Sequence, residues 1–557
     1  ALHPGTAEGF FAALEAGLTR PLPVWAGELY FELHRGCYTS QGRTKWYNRK
    51  LEAALHDAEF VLTWAHVTAG LDYPRDALRH AWDVLLTHQF HDILPGSSIR
   101  ETYVEAEAAY ADALALTEML IHEGLVTLAA TSGGGQWAVV NTLGHARRAL
   151  AVIAADLRDG DRLVDDQGQP CVWQALDDSR ALVLVDLPPF GMRALRVEAG
   201  AQAVDSDLSA SPQHLENAAL RVEFDSGGRI IRVYDKVAAR EALPEGAIAN
   251  HFQLYQDMPA RWQAWDIDAD YEELPLPDPL PQGVRVIESG PVRAAVEVTY
   301  AFGASTIRQQ ISLTSGARAL DFDTEIDWHE RHTLFKVAFP LDLQAARATF
   351  ESAYGAVERP THRSTPWDAA RFEVPALRWA DLSEADYGGA LLNDCKYGYD
   401  VRDNVLRLSL LRAPTMPDPE ADQGQHRIRY ALLLHDGGWQ SGGVVAEAAA
   451  LNQPAHVVTL KGAGDALPVA PVIPEAGSAV IVDTLKLAED SGDVIVRLYE
   501  PHGARQQITL RTAAGFTGVH EVNILEEAHD GGDLQVDGQR VMLTLRPYQV
   551  RTLRLTR

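Results

Sequence analysis

The hydrophobic period changes once along this chain, near residue 133, and that change constrains the fold more than any other feature. Up to that point three long segments repeat apolar residues at i, i+3, i+4 and i+7, the pattern of helices with one buried face. After Gly133-Gly134-Gly135 the period falls to two and turn residues recur, which reads as short strands. The expected fold class is therefore α+β multidomain, a three-helix bundle followed by antiparallel β-sandwich domains.

In the first helical segment Leu51, Ala54, Leu55, Ala58, Val61, Leu62 and Ala65 share a face, with Thr44 as the expected N-cap and Gly70 as the stop. The second is expected from Asp76 to Leu94, with Leu78, Ala81, Trp82, Leu85, Leu86, Gln89 and Ile93 on one side before Pro95-Gly96 ends it. The third starts at Ser98-Ile99-Arg100-Glu101, a capping-box pattern, and continues to Ala130. Short connections make the three antiparallel neighbours.

Beyond Gly135, Leu320, Phe322, Thr324, Ile326 and Trp328 alternate with Asp321, Asp323, Glu325 and Asp327. Val292 to Tyr300 and Leu406, Leu408 and Leu410 show the same alternation, a strand with one face in a core. Candidate linkers at Ser206–Pro212 and Ala466–Pro474 divide the chain. The divisions are a leading segment (1–43), the bundle (44–132), a small β domain (136–210), a large β-sandwich domain (211–463) and a C-terminal β domain (475–557).

Composition narrows the function. Its 49 Lys+Arg against 77 Asp+Glu give a net charge of −28, which argues against nucleic acid or an anionic membrane as partner. No run of about 18 apolar residues is seen that would span a bilayer. Cys37, Cys171 and Cys395 lie far apart, so neither a disulfide framework nor a thiolate zinc site is expected, and a reducing compartment fits. The chain opens Ala1-Leu2-His3-Pro4 with no Met and no secretion signal in view, which suggests a cytoplasmic location and a start made by a cut.

The stretch from Leu85 to Ser98 is the richest in chemistry. On a helical wheel counted from Leu78, the apolar side centres near ~20° while His91 falls near ~220° and His88 near ~280°. His91 thus faces away from its own bundle, either simply solvated or placed to meet a metal whose other ligands come from elsewhere, since zinc takes about four. His329-Glu330-Arg331-His332 has two histidines at the end of a strand and reads as a surface loop. Trp262-Gln263-Ala264-Trp265-Asp266 could stack on sugar rings or pack in an interface.

Longer strings carry a family resemblance. Gly27-Glu28-Leu29-Tyr30-Phe31-Glu32-Leu33-His34-Arg35-Gly36-Cys37-Tyr38-Thr39-Ser40-Gln41, followed by Gln89-Phe90-His91-Asp92-Ile93-Leu94-Pro95-Gly96-Ser97-Ser98, resembles the second half of a glycoside hydrolase family 38 α-mannosidase. Asn141-Thr142-Leu143, Trp265-Asp266-Ile267-Asp268, Tyr354-Gly355-Ala356-Val357-Glu358-Arg359-Pro360 and Leu392-Asn393-Asp394-Cys395-Lys396-Tyr397-Gly398-Tyr399 follow in the family's order. So do Asp422-Gln423-Gly424 and Pro547-Tyr548-Gln549-Val550-Arg551-Thr552-Leu553. Phe90 and the Leu94-Pro95-Gly96 turn resemble the bacterial and fungal branch more than the animal Golgi and lysosomal one.

The resemblance implies a retaining, zinc-dependent glycosidase acting on terminal α-mannosides. It makes His91 the bundle's zinc ligand and Asp92 a partner of a mannose hydroxyl. Arg35, Tyr38, Lys396, Tyr397 and Asp422 are then expected around the substrate. None of the 20 histidines is followed two residues later by Asp, so the family's His-x-Asp zinc motif, its nucleophile and its acid/base carboxylate are expected upstream of Ala1. The implied partners are that N-terminal catalytic domain, an α-mannoside and a possible second copy of the chain. On this reading the chain alone is inert. The competing readings are a non-catalytic β-sandwich that binds carbohydrate or another protein, and a family member acting on mannosylglycerate or another small α-mannoside.

Overall fold

A computed structural model describes residues 4–158, 160–200, 206–461, 466–529 and 531–557. The chain divides into two compact units, Ala1–Phe31 and Glu32–Arg557. The first holds α1 (Ala7–Ala16), whose N-cap Thr6 accepts from the Gly9 amide at 3.1 Å. The 32–43 part of the leading segment belongs with the second unit.

In the second unit the period-3.6 segments become α2 (Gly42–Ala69), α3 (Arg75–His88) and α4 (Arg100–Ala130). Leu51, Leu55, Ala58, Val61, Leu62 and Ala65 are all fully buried, each large one contributing about 1.5–3 kcal/mol relative to exposure. Gly70 ends α2 with φ +73. Three boundaries differ from expectation. Thr44 lies inside α2, whose N-cap is Gln41. Ile99 precedes α4 without a side-chain cap, because the Ser98 hydroxyl turns to Thr102 Oγ1 at 3.0 Å, so the capping box does not form. Most important for the site, α3 stops at His88, and residues 90–96 form a chain of turns. Helix α4 is long and apolar enough to cross a membrane by length and composition, contrary to the reading of the sequence, but its buried face packs on α2 and α3.

All strand pairs are antiparallel. The strand Ala319–Trp328 alternates half-buried and buried residues throughout, and pairs with Ser305–Thr314 and Gly424–Asp436 inside a nine-stranded sheet. A six-stranded sheet and a five-stranded sheet spanning Ser209–Glu241 add to it in the large domain, and two four-stranded sheets form the C-terminal domain. The boundary at 463 is not a clean cut. His456–Thr459 pairs with Trp137–Asn141, so the large domain's tail closes the small domain's sheet. Likewise Ser209–Ser211, inside the candidate linker, is already a strand paired with His214–Glu216.

One apolar core runs from the bundle through Val140, Phe190 and Met192 into Val496, Leu510 and Leu553 of the C-terminal domain. Phe60 of α2 stacks on Phe190 with centroids 4.7 Å apart. Bundle and sandwiches are thus packed as layers of one body, which holds the turn after α3 against the β domains.

Candidate functional site

Four segments of distant sequence meet beside the end of α3: the 3₁₀ turn Arg35–Tyr38 with the start of α2, the turn 89–97, the loop 260–266 and the loop 413–424. Arg412 is the central tie. It is fully buried, donates from Nε to Asp257 Oδ2 at 2.8 Å, and reaches Ser40 Oγ, Ala264 O and Asp266 O at 3.1, 3.1 and 2.8 Å. Gly36 must lack a side chain here, because a Cβ would overlap the Arg412 guanidinium. Burial holds the Asp257 carboxyl above its usual range despite this partner.

Lys45 ties the second pair of segments. Its ammonium, 2% exposed, donates to Ser40 O at 2.5 Å and Leu94 O at 2.7 Å, and burial lowers its pKa from 10.5 to about 7. Gly96 has φ +91, and a Cβ there would stand 2.5 Å from Ser40 O, so the turn and the start of α2 are in direct backbone contact.

The turn presents His91 and Asp92. Asp92 is anchored: its backbone carbonyl accepts from the Tyr103 hydroxyl at 3.2 Å, and Oδ1 accepts from Ser97 Oγ at 3.0 Å. His91 Nε2 stands 3.4 Å from Asp92 Oδ2, with 77% of the His91 side chain and 45% of the Asp92 side chain exposed. Phe90 packs its ring against His91 at 4.2 Å and is itself exposed, as are Ile99, Trp262 and Met416 on neighbouring segments. Because α3 ends early, His91 faces outward from a turn held by tertiary contacts and not from a helix, so the wheel angle does not account for its direction.

His88 is otherwise engaged. Its Nδ1 lies 2.6 Å from Val84 O and its ring rests on Tyr110. His329 pairs with Asp327 at 3.0 Å and His332 with Thr415 Oγ1 at 3.2 Å, so that pair forms no joint site. Trp262 is 68% exposed, edge-on to Trp265.

The residues expected around a substrate separate into two groups. His91, Asp92 and half-buried Tyr38 are accessible. Arg35, Lys396 and Asp422 are not, at 7%, 2% and 1% exposure. Arg35 donates to Ala370 O at 3.0 and 3.2 Å and covers the Phe372 ring. Asp422 caps α2 across the domain junction, accepting from the Gly42 and Gln41 amides at 2.6 and 3.1 Å, with Lys396 against the same glycine. Tyr397 accepts from Asn48 Nδ2 at 2.9 Å, and Asn48 in turn accepts from Gln89 at the end of α3. Burial pushes the Tyr397 hydroxyl up to about 12. Arg35 and Asp422 spend their polar atoms on backbone groups, and Tyr397 spends its hydroxyl on the Asn48 side chain, so these residues tie segments together beneath the exposed face.

Lys45 and Arg412 were missed from the sequence. Arg412 had a signal, since it continues the Leu406, Leu408, Leu410 spacing and so places a charge in phase with an apolar stripe.

Three family descriptions match in chain order: the "Alpha mannosidase middle domain" over 32–128, the "Glycosyl hydrolases family 38 C-terminal domain" over 215–420, and the "Glycosyl hydrolases family 38 C-terminal beta sandwich domain" over 479–553. The chain belongs to glycosyl hydrolase family 38. Its family relatives include Alpha-mannosidase 2C1 of Homo sapiens, 34% identical with 98% of this chain and 52% of that protein covered. Alpha-mannosidase G of Dictyostelium discoideum is 32% identical, with 98% and 54% covered. The fold matches the crystal structure of an alpha-mannosidase from Enterococcus faecalis V583 with TM-score 0.82 at 17% identity, covering 98% of this chain and 72% of that one. This family 38 chain spans about half the length of the curated relatives it matches.

The donor set was tested against the zinc that the family resemblance implies. His91 and Asp92 offer one imidazole and one carboxylate, and among the described residues no group of three or more His, Cys, Asp or Glu side chains could hold a metal ion. Two donors on an open turn do not make the roughly four-ligand site that zinc requires. The described residues alone therefore do not fit a closed zinc centre.

Proposed function

We propose that this chain is the middle and C-terminal portion of a retaining, zinc-dependent α-mannosidase that hydrolyses terminal α-mannosides. The nucleophile and the other metal ligands come from residues outside it. The observation that carries the reading is the His91-Asp92 pair, exposed beside the Phe90 ring on a turn whose carbonyls are tied to Lys45 and Tyr103 of two other helices. An exposed imidazole on a turn whose backbone is tied to other helices suits a ligand that completes a site begun elsewhere. In this reading His91 is one zinc ligand and Asp92 accepts a mannose hydroxyl, while Tyr38 borders the substrate. Arg35, Lys396, Tyr397 and Asp422 support the face. By itself the chain is inactive.

The α-mannoside is favoured over mannosylglycerate because the relatives named α-mannosidase match along the whole chain. A putative mannosylglycerate hydrolase from Halalkalibacterium halodurans matches 45% of it, at 23% identity.

The deciding experiment compares this chain with a longer protein that includes the preceding residues, measuring zinc content and hydrolysis of an aryl α-mannoside. The longer protein should bind zinc and turn over, and His91→Ala should remove most of both. Unchanged metal content in His91→Ala strikes it from the ligand set, and turnover by the present chain at enzymatic rates refutes the assignment of the nucleophile elsewhere.

A further inference from the structure

Between α2 and the C-terminal domain two cavities of about 650 and 250 Å³ adjoin, with His56 and Tyr354 in the walls of both. The larger lies within the roughly 300–1,000 Å³ typical of small-molecule sites. One stripe of α2 lines the pair: Arg49, Glu52, His56 and Glu59 recur at helical spacing on a helix whose other faces are mostly apolar and buried. Arg49 and Glu59 are 7% and 8% exposed. A seam that served only to join domains would be more stable with apolar residues there, since burying charge costs several kcal/mol per ion.

The groups are also arranged. Trp82 of α3 donates from Nε1 to Glu59 Oε1 at 2.9 Å, and the His56 ring meets the Trp82 ring edge-on with centroids 6.1 Å apart. No hydrogen bond from the described residues reaches Glu59 Oε2, and burial holds this carboxyl above its usual range. Tyr354 lies in the two-residue turn between the paired strands Arg347–Ser352 and Gly355–Pro360, with the positive φ (+54) that tight hairpin turns take. Its ring is set edge-on by Tyr499 at 5.1 Å. Charge around the larger cavity is balanced, with Arg75, Arg79, Lys486 and Arg497 against Glu59, Asp83, Glu489 and Glu526. An ionic ligand would call for an excess of one sign, whereas balanced donors and acceptors beside aromatic rings suit a neutral ring bearing several hydroxyls.

We propose that this cleft binds a neutral oligosaccharide, with Trp82 and Tyr354 as ring platforms and Glu59 as a buried hydroxyl acceptor. The cleft shares no residue with the His91 face. That the sugar is an α-mannoside rests on the function proposed above, so the test uses linear α-mannotriose and maltotriose side by side.

Calorimetric titration of this chain should show saturable binding of at least one trisaccharide. Glu59→Gln and Tyr354→Ala should each weaken it about tenfold or more, equivalent to ~1.4 kcal/mol, without the loss of melting temperature that a folding defect would bring, while His91→Ala binds as the parent does. Tyr354→Ala alters a half-buried residue at a strand turn and so guards against a folding defect in Glu59→Gln. Preference for maltotriose keeps the site and removes α-mannose as its sugar. Absence of binding by either sugar, or wild-type binding by both cleft variants, overturns the proposal. Loss of binding in His91→Ala alone would place the sugar at the other face and also overturn it. None of these readings depends on hydrolysis, so failure of the proposed activity is seen separately.

Discussion

Replacing Lys45 by methionine should change how stability depends on pH more than it changes stability itself. The ammonium is buried against two backbone carbonyls and, among the described residues, forms no ion pair with a carboxylate. Burial lowers its pKa from 10.5 to about 7, so the unfolded chain holds this proton more tightly than the folded one. The destabilisation is complete below about pH 7 and is relieved as the pH climbs toward 10.5, because the unfolded state binds more protons throughout that window. At about 1.4 kcal/mol per unit, the charged form is penalised by the order of 5 kcal/mol.

Methionine removes the penalty and deprives Ser40 O and Leu94 O of a donor, at ~1–3 kcal/mol each. The net effect near pH 6 is therefore small, between a loss of ~1 and a gain of ~3 kcal/mol. Its slope is not small: from about pH 6 to about pH 9 the variant should lose about 3 kcal/mol relative to wild type, as wild type escapes two units of penalty. Urea unfolding of both proteins at the two pH values measures this, and groups common to both cancel in the difference. A difference that stays constant within ~0.5 kcal/mol across that range would refute the buried-amine argument.

Three further substitutions test the frame. Arg412→Ala leaves Asp257 in the core without its partner and should cost about 3–5 kcal/mol in denaturant unfolding; a loss under ~1 kcal/mol would show that the tie is dispensable. Gly96→Ala places a methyl 2.5 Å from Ser40 O at φ +91 and should destabilise by more than about 1 kcal/mol. Local hydrogen exchange should rise in residues 89–97 of that variant, and unchanged protection would mean the turn is not held by Ser40. Asp422→Ala removes the acceptor of the Gln41 and Gly42 amides and should cost ~1–2 kcal/mol, as loss of a helix cap does, read by thermal melting.

The stripes of α2 and of Ala319–Trp328 could be read from the sequence because burial on one face of a regular element leaves a periodic trace. The end of α3 left none. Residues up to Leu94 carry no helix breaker, yet the helix stops at His88, and the carbonyls of Asp92 and Leu94 are taken by Tyr103 and Lys45 from other helices. The face itself was half legible. His91 and Asp92 stood out by their type and company and are exposed, whereas Arg35, Lys396 and Asp422, expected around a substrate, are buried. Polar residues beside a site and polar residues under it look alike in one dimension.

By itself, then, the sequence determined the change from helical to strand period, the buried faces of the bundle, and the family resemblance that singles out His91 and Asp92. Only the tertiary structure decided where α3 ends, that His456–Thr459 completes the small domain's sheet, and which charged residues are frame. The physical reason is range. Periodicity records interactions between a residue and its own element, but the burial of Arg412 is settled by Asp257, 155 positions away, and that of Asp422 by amides 380 and 381 positions away. No local pattern encodes such pairings, because each exists only when the domains have packed.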